Sequence, residues 1–244
     1  MLWKKYFFKY LTIINIFFLI LNIYFYVVGQ KTNLLKVRGI KISSVNQYRE
    51  KYGDKSPIDR FYIEDFLKQN KEYIHGNILE LGDAYYTYKF GSNIKSSDIL
   101  DISSKNRKAT IVGDLQNSQT LKKDQFDCFI MTQMLMYPYD TSAVLKNSYN
   151  ALKKDGVLLI TVPGISFQSN EPDLYEESWH FTEYSLRRKL HEAGFKNIKV
   201  IQVGNVLAAT AFLQGLGVED LKDRNLLLAN NHSCNFLITA FAQK

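Results

Sequence analysis

The stretch Asn77-Ile-Leu-Glu-Leu-Gly-Asp-Ala-Tyr-Tyr-Thr-Tyr-Lys-Phe-Gly91 decides the fold of this chain. Its apolar run Ile78–Leu81 predicts a short buried strand that carries one carboxylate, Glu80, and is followed by Gly82. A glycine at the carboxyl end of a parallel strand lets the backbone turn sharply and approach a ligand closely. The stretch therefore predicts a ligand-binding corner, provided that the rest of the chain supplies a parallel sheet.

Strand and helix patterns alternate through the rest of the chain. A helix is predicted to open at Ser56-Pro57, because proline suits the first turn of a helix. Two further helices are predicted at 141–152, ended by Gly156 as the C-terminal glycine, and at 182–194, capped by Thr182. Strands alternating with helices predict a parallel, doubly wound sheet with right-handed crossovers. Further strands are predicted near 93–102, 109–112, 126–132, 157–162, 196–203 and 235–242.

The chain is basic, with a formal net charge of +7 and a pI near 9.1. A basic balance raises the question of a nucleic-acid partner, but the lysines and arginines are scattered in small groups. No arginine-rich arm, zinc finger or aromatic-basic RNA motif stands out in the sequence. We therefore interpret the charge as a solvated surface and expect no nucleic-acid partner.

Cysteines and histidines give no pattern of a metal site. Cys128 and Cys234 lie far apart in the sequence and form no Cys-x-x-Cys pair, so neither a disulfide framework nor a zinc site is indicated. The four histidines form no His-x-x-x-His ligand pair. We expect free thiols, which fit a reducing compartment, and no bound metal.

The segment Tyr10–Val28 is almost wholly apolar and aromatic. A helix of this length spans roughly 28 Å, which is about the thickness of a bilayer's hydrocarbon core. Residues 1–29 are therefore predicted to form a membrane-anchor helix, single-pass or membrane-associated, although lysines on both sides leave its orientation open. Residues 30–56 are polar and lysine-rich and are interpreted as a linker or arm, and residues 57–244 as the functional domain.

Four blocks of sequence, in this order, carry a family resemblance: Ile78–Gly82; Asp114-Leu115 with Gln125–Gln133; Ala151–Pro163; and Phe181–Phe195. Together they resemble the class I, Rossmann-like S-adenosylmethionine-dependent methyltransferases, and among these the type 11-like proteins. The resemblance implies a seven-stranded, mostly parallel sheet with helices on both faces and an antiparallel last strand. The predicted N-terminal hydrophobic helix precedes this fold.

The first motif departs from the family pattern. Ala84 and Tyr86 stand where the family usually has its second and third glycines. A side chain at these positions is expected either to crowd the cofactor's approach or to require a different path of the loop. Tyr86-Thr87 and the run Gly204–Phe212 are similar to a branch of the family whose members often lie among enzymes of polysaccharide biosynthesis.

The resemblance also implies where the cofactor S-adenosylmethionine binds. Glu80 is expected beside the methionine end of the cofactor, although it could instead only cap the neighbouring helix. Asp101, with Asp98 as the alternative, is expected to hold the ribose hydroxyls, because a carboxylate accepts two hydrogen bonds in parallel. Asp114 with Leu115 is expected at the adenine, and Gln133 at the methionine end. The implied cofactor residues are Glu80, Gly82, Asp83, Asp101, Asp114, Leu115 and Gln133.

His180 follows the fifth predicted strand and is the candidate catalytic base for an acceptor hydroxyl. It could instead be a surface histidine beside an anchoring Trp179. The resulting hypothesis is an O-methyltransferase acting on a small molecule, sugar or lipid-linked glycan at the cytoplasmic face of a membrane, because the cofactor is a cytosolic metabolite. The alternative is a catalytically weakened, methyltransferase-like scaffold in a membrane glycan-assembly complex. A nicotinamide-dependent enzyme is disfavoured, because no Gly-x-Gly-x-x-Gly follows the first strand.

Overall fold

The computed structural model describes residues 35–37, 40–42, 55–166, 176–229 and 234–244. The chain divides into two units, residues 1–50 and 51–244. In the first unit, β1 (Leu35–Val37) and β2 (Ile40–Ile42) pair antiparallel, within the range predicted as a linker or arm. The predicted anchor helix, Tyr10–Val28, lies outside the described residues. In the described ranges, no helix is long and apolar enough to cross a membrane.

The second unit is built on one sheet of seven strands: β3 (Gly76–Leu81), β4 (Ile94–Asp101), β5 (Ile111–Val112), β6 (Phe126–Thr132), β7 (Leu152–Pro163), β8 (Lys196–Val203) and β9 (Leu237–Gln243). The strand order is β5-β4-β3-β6-β7-β9-β8. β9 is antiparallel to both of its neighbours, and all other neighbouring strands are parallel. This arrangement confirms the predicted mostly parallel sheet with an antiparallel last strand.

Helices cover both faces of the sheet, because its central strands are apolar on both sides. Along β7, Leu158 and Ile160 belong to the apolar cluster on one face, whereas Val157 and Leu159 belong to the cluster on the other. The helices are α1 (Ile58–Gln69), α2 (Tyr85–Phe90), α3 (Thr141–Ala151), α4 (Glu183–Ala193) and α5 (Val206–Leu213). Helices α3 and α4 contribute to the first cluster, and α1, α2 and α5 contribute to the second.

The ends of α4 are those that the sequence predicts. The Thr182 hydroxyl oxygen accepts a hydrogen bond from the Ser185 backbone N–H, and the Ser185 hydroxyl oxygen accepts one from the Thr182 backbone N–H. Gly194 ends the helix in the left-handed region, with φ of 109°. Local capping chemistry therefore fixes where this helix begins and ends.

Gly156 does not end α3, and that prediction is wrong. The chain leaves α3 at Leu152 in extended conformation, and Gly156 lies inside β7. A Cβ on Gly156 would stand 2.9 Å from the Lys153 carbonyl oxygen and 3.0 Å from that of Phe126. Glycine is thus needed here because Gly156 lies at an irregularity in the β6–β7 register, where a carbonyl oxygen of its own strand and one of β6 both crowd the position.

The strand order reverses between β3 and β6. From β3 the chain builds outward through β4 to β5, and from β6 it builds in the opposite direction through β7. Open α/β sheets bind ligands in the crevice outside the carboxyl ends of the strands at such a point. The fold therefore places the candidate site beyond Leu81, Asp101 and Thr132, the last residues of β3, β4 and β6.

Candidate active site

The turn after β3 is held open by Gly82. This residue has φ of +79°, a conformation that side-chain-bearing residues rarely adopt. Its backbone N–H donates to the Leu100 carbonyl oxygen at 3.0 Å, which fixes the turn against β4. A Cβ built on Gly82 would meet no described atom within 4 Å beyond its chain neighbours. The turn therefore borders open space at the carboxyl edge of the sheet.

Glu80 lies beneath this turn and caps α2. Its carboxylate accepts hydrogen bonds from the backbone N–H of Tyr86 at 3.0 Å and from the backbone N–H and hydroxyl of Thr87, each at 2.7 Å. The residue is only 2% exposed, and this burial raises the pKa of its carboxyl group, although the bonds from Thr87 and Tyr86 partly oppose that shift. The structure thus shows the capping role that the sequence left open, and contact with the cofactor's methionine end stays a prediction. Asp83, next in the turn, accepts a hydrogen bond from the Tyr85 backbone N–H at 3.0 Å.

The residues at the missing glycine positions point into the domain. Ala84 and Tyr86 are both buried, and Tyr86 packs in the apolar cluster with Ile78 and stacks on Phe90 at 6.3 Å between ring centroids. The path of the loop turns the Tyr86 side chain into the core rather than to the exposed edge. The Tyr86 ring therefore does not stand at the open edge where the cofactor is expected, and a loop path different from the family's stays a prediction.

Asp101 is joined to the Gly82 turn by a residue that the sequence did not single out, Asn106. The Asn106 Nδ2 group donates to Asp101 Oδ2 at 2.7 Å and to the Gly82 carbonyl oxygen at 2.6 Å. The Ser103 backbone N–H donates to Asp101 Oδ1 at 2.8 Å. Asp98 instead lies three residues back in β4, where it accepts a hydrogen bond from the Thr110 hydroxyl at 2.8 Å. Of the two candidates for the ribose, Asp101 is the one beside Gly82.

Asp114 and Leu115 follow β5, beside the start of α3. Asp114 accepts hydrogen bonds from the backbone N–H of Gln116 at 2.8 Å and from its side-chain amide at 3.1 Å. The Gln116 Oε1 atom in turn accepts from the backbone N–H of Asp140, the N-cap of α3, at 2.9 Å. The Leu115 carbonyl oxygen accepts from the Asn147 side chain at 2.9 Å, so the whole segment is fastened to α3.

Gln133 follows β6 in a strained conformation, with φ of 51°. Its backbone N–H donates to the Thr161 carbonyl oxygen at 2.9 Å, which holds the residue against the end of β7. Its side-chain Oε1 atom is buried and accepts no hydrogen bond from the described part of the chain. A buried, unpartnered acceptor on a strained residue is expected where a ligand supplies the missing donor.

His180 lies on a short segment, residues 177–181, that crosses the carboxyl ends of β6 and β7. The backbone N–H groups of Ser178 and Trp179 donate to the Met136 carbonyl oxygen at 2.8 and 3.1 Å, and that of Phe181 donates to the Pro163 carbonyl oxygen at 3.0 Å. The segment is thereby fixed over the strand ends, and we call it the crossing segment. It brings His180 to the same edge of the sheet as Gly82 and Gln133.

A carboxylate accompanies His180 on the crossing segment. Glu177 Oε2 lies 3.5 Å from His180 Nε2, and the two side chains are 11% and 46% exposed, respectively. The same Glu177 oxygen is buried and accepts no well-aligned hydrogen bond from the described residues. Trp179 is anchored by its ring N–H, which donates to the Tyr139 carbonyl oxygen at 3.1 Å. The imidazole is therefore partly open to solvent on one side and faces a buried carboxylate on the other.

The described residues include two free cysteines and no metal-ligand cluster. Cys128 and Cys234 are buried free thiols, and burial raises the pKa of both thiols. Among the residues that the structure describes, no group of three or more His, Cys, Asp or Glu is arranged to hold a metal ion. What the edge offers is a set of acceptor oxygens, one imidazole and an open glycine turn.

A sequence-family model described as "Methyltransferase domain" matches residues 60–200. The chain belongs to this methyltransferase family. The matched range runs from α1 into β8 and contains every predicted cofactor residue as well as His180. Comparison with curated proteins finds no matching sequence.

Solved structures show the fold of this methyltransferase domain to be that of the class I S-adenosylmethionine-dependent methyltransferases. Phosphoethanolamine N-methyltransferase 2 of Haemonchus contortus, in complex with S-adenosyl-L-methionine, has a TM-score of 0.53 and 15% identity over 78% of this chain and 53% of its own. An S-adenosylmethionine-dependent methyltransferase from Mesorhizobium loti has a TM-score of 0.51 and 15% identity over 77% and 98%. The 1,6-didemethyltoxoflavin-N1-methyltransferase of Burkholderia thailandensis, with bound 1,6-didemethyltoxoflavin and S-adenosylhomocysteine, has a TM-score of 0.51 and 14% identity over 80% and 81%.

Proposed function

We propose that this methyltransferase uses S-adenosylmethionine to methylate a hydroxyl group of a sugar or lipid-linked glycan. The observation that carries the proposal is the placement of Asp101 beside the open Gly82 turn, with Asn106 bonded to both. Family membership and the bound ligands of the Haemonchus contortus and Burkholderia thailandensis structures support S-adenosylmethionine as the cofactor.

The acceptor oxygens at the edge fit the polar ends of that cofactor. Each Asp101 carboxylate oxygen has one donor in the structure and keeps capacity for a second, which suits the two ribose hydroxyls. The unpartnered Gln133 Oε1 atom suits the cofactor's amino group. Asp114 with Leu115 would hold the adenine, and the space above Gly82 leaves room for the backbone of the turn to lie against the ligand.

When bound, S-adenosylmethionine would supply a methyl group on a positively charged sulfur, and in-line transfer of that methyl group to the acceptor oxygen would break the carbon–sulfur bond and release the neutral thioether S-adenosylhomocysteine. The chain's own residues align the reactants and exclude water from between them. His180 takes the proton of the acceptor hydroxyl at Nδ1, because its Nε2 atom is turned toward Glu177. The Glu177 carboxylate then stabilises the positive charge that the imidazole gains.

The acceptor class and the location extend the proposal beyond the family assignment. The similarity of Tyr86-Thr87 and Gly204–Phe212 to the branch found among enzymes of polysaccharide biosynthesis supports a glycan acceptor.

The apolar segment Tyr10–Val28 and the cytosolic origin of the cofactor support a catalytic domain at the cytoplasmic face of a membrane. We expect the full chain, tagged at its C-terminus, to stay in the membrane fraction after carbonate washing, with its tag protected from protease added to intact cells. Recovery in the soluble fraction, or loss of the tag, would contradict this location.

Calorimetric titration of the full chain with S-adenosylmethionine tests the cofactor assignment. We expect the wild type to bind, and Asp101→Ala to weaken binding by about 10- to 100-fold, the loss expected when hydrogen bonds to a charged group are removed. Asp98→Ala is the matched control from the same strand and is expected to bind within about twofold of the wild type, because Asp98 faces Thr110. Absence of wild-type binding at millimolar cofactor would overturn the enzyme proposal and favour the weakened, scaffold-like alternative.

Methyl transfer to lipid-linked glycans tests the acceptor and the base. With radiolabelled S-adenosylmethionine and a membrane glycolipid extract, we expect label in the glycan fraction and a loss of about 100-fold in rate for His180→Ala. His191→Ala, on the exposed side of α4, is the control histidine and is expected to keep the wild-type rate. Equal rates for His180→Ala and the wild type would remove the assigned base, and label confined to protein or nucleic acid would remove the glycan acceptor.

A further inference from the structure

The connection between β4 and β5 is unusually short for a parallel crossover. Residues 102–110 make this connection without a helix, whereas such connections usually take a dozen or more residues. Two turns fold it: the Asn106 backbone N–H donates to the Ser103 carbonyl oxygen at 3.2 Å, and that of Ala109 donates to the Asn106 carbonyl oxygen at 3.1 Å. Asn106 is thus the residue shared by both turns of the loop.

The Asn106 side chain uses its whole hydrogen-bonding capacity as a donor. Nδ2 carries two N–H groups, one directed to Gly82 O and the other to Asp101 Oδ2. Oδ1 accepts a bond from the Lys108 backbone N–H at 3.0 Å. These contacts fix the orientation of the amide, because a flipped amide would set its oxygen against two other acceptor oxygens and its nitrogen against a donor.

These bonds join the two parts of the predicted cofactor site that lie far apart in sequence. Asn106 stands 24 residues beyond Gly82 and five beyond Asp101. With Ser103 N–H on Oδ1 and Asn106 on Oδ2, the Asp101 carboxylate is held at both oxygens, and its remaining lone pairs are left in a fixed direction beside the Gly82 turn. A carboxylate held in this way is ready to accept two hydroxyl groups without reorganising.

We propose that Asn106 is a positioning residue for the ribose of the cofactor. It sets the rotation of the Asp101 carboxylate and its separation from the Gly82 turn, and it acts through Asp101 rather than by touching the cofactor. This inference rests on the proposed function, because it requires a ligand with ribose hydroxyls at Asp101. It also assigns a role to the short β4–β5 connection, which carries the amide to this position.

Calorimetry with two ligands separates positioning from general support of the fold. The probes are S-adenosylhomocysteine and its 2′,3′-dideoxy analogue, which lacks the hydroxyls that Asp101 would hold. We expect Asn106→Ala in the full chain to bind S-adenosylhomocysteine about tenfold more weakly than the wild type, while the affinity for the analogue changes by less than about twofold. A residue that only supports the fold would weaken both ligands alike.

Three further variants show whether a loss of affinity in Asn106→Ala comes from its hydrogen bonds to Asp101. Lys105→Gln, at an exposed side chain of the same loop, is expected to bind both ligands like the wild type. Asn106→Leu keeps about the size of the side chain, has no N–H to donate and adds no charge beside Asp101, so it is expected to match Asn106→Ala and serves in its place if the alanine variant does not fold. In an Asp101→Ala background, Asn106→Ala is expected to cause no further loss of S-adenosylhomocysteine affinity.

Failure of the positioning role and failure of the proposed function give different binding results. If the wild type binds S-adenosylhomocysteine and Asn106→Ala binds it equally well, or loses both ligands in equal measure, the positioning role is overturned while the proposed function stands. If the wild type binds neither S-adenosylmethionine nor S-adenosylhomocysteine, the proposed function is overturned, and the positioning role with it.

Discussion

Glu80 accepts two hydrogen bonds from Thr87, one from its backbone N–H and one from its hydroxyl, and both are 2.7 Å long. Both residues are buried, at 2% and 0% exposure, so neither bond competes with water. Because Glu80 belongs to β3 and Thr87 to α2, the pair fixes the path on which the chain leaves Gly82. The geometry of the open turn therefore depends on a carboxylate buried beneath it.

Glu80→Gln is expected to destabilise the fold, with a characteristic pH dependence. The glutamine turns an NH2 group toward a backbone donor, which costs about 1–3 kcal/mol. Burial raises the pKa of the Glu80 carboxyl group, so its stabilising contribution is fully present below its unfolded pKa of about 4.3 and is lost as the pH rises through its higher folded pKa. Urea unfolding of the two proteins should therefore give a difference that shrinks from acidic toward neutral pH. The exposed Glu72→Gln is the control, and a difference that grows with pH would contradict the expectation.

Gly82→Ala is expected to weaken ligand binding as well as to destabilise the fold. A left-handed alanine costs about 1–2 kcal/mol, and Gly215→Ala, where φ is 72° outside the site, provides the matched control for that strain. The new methyl group at position 82 enters the open space at the sheet edge, so we expect S-adenosylmethionine affinity to fall at least about tenfold. Thermal unfolding and calorimetry on both variants measure the two effects. Equal cofactor affinity in the two variants would show that the space above Gly82 is not used.

Gln133→Gly is expected to raise stability and lower cofactor affinity. Glycine relieves the left-handed strain of Gln133, whose φ is 51°, by about 1 kcal/mol, but it removes the unpartnered Oε1 acceptor. Asn93→Gly, at a φ of 50°, makes the same backbone change away from the strand ends of the site, where it relieves the smaller strain of a left-handed asparagine. We expect both variants to unfold at higher urea concentration and only Gln133→Gly to bind S-adenosylmethionine more weakly. Unchanged binding by Gln133→Gly would remove this residue from the site.

Asp127→Asn is expected to destabilise the sheet at neutral pH and to lose that effect in acid. Burial alone would raise the pKa of Asp127, but the Asn77 backbone N–H and the Lys153 ammonium, each 2.7 Å from Oδ2, outweigh it and lower the pKa. Such a carboxylate stabilises the fold above its unfolded pKa of about 3.9, and the contribution is lost as the pH falls through the lower folded value.

We expect a loss of about 1–2 kcal/mol for Asp127→Asn near pH 7 in urea unfolding. Asp124→Asn is the matched control, because Asp124 also meets a lysine, Lys244 at 2.8 Å, but is 64% exposed, and exposed pairs contribute at most about 1 kcal/mol. If the two variants lose equal stability, the partly buried hydrogen bond from the Asn77 backbone N–H to Asp127 adds nothing to the stability of the fold.

Much of the fold follows from patterns local to the sequence. The apolar run Ile78–Leu81, the cap at Thr182 and the terminating Gly194 each depend on residues within one or two turns of chain, and the structure confirms all three. Gly156 misled the prediction, because its glycine is required by the crowding of Lys153 and Phe126 carbonyl oxygens where β7 pairs with β6, and not by the end of α3. A contact between strands leaves no local signal.

The sequence by itself determined the order of strands and helices, the family, and the strand ends at which Glu80, Asp101 and Gln133 stand, because periodicity and caps act between near neighbours. Only the tertiary structure decided that Tyr86 turns inward, that Asp101 rather than Asp98 lies beside Gly82, and that Asn106 joins them. These contacts link groups up to 24 residues apart, and their partners are selected by the packing of the sheet. The physical reason is that side-chain direction at a strand end depends on the neighbouring strand, which the local sequence does not encode.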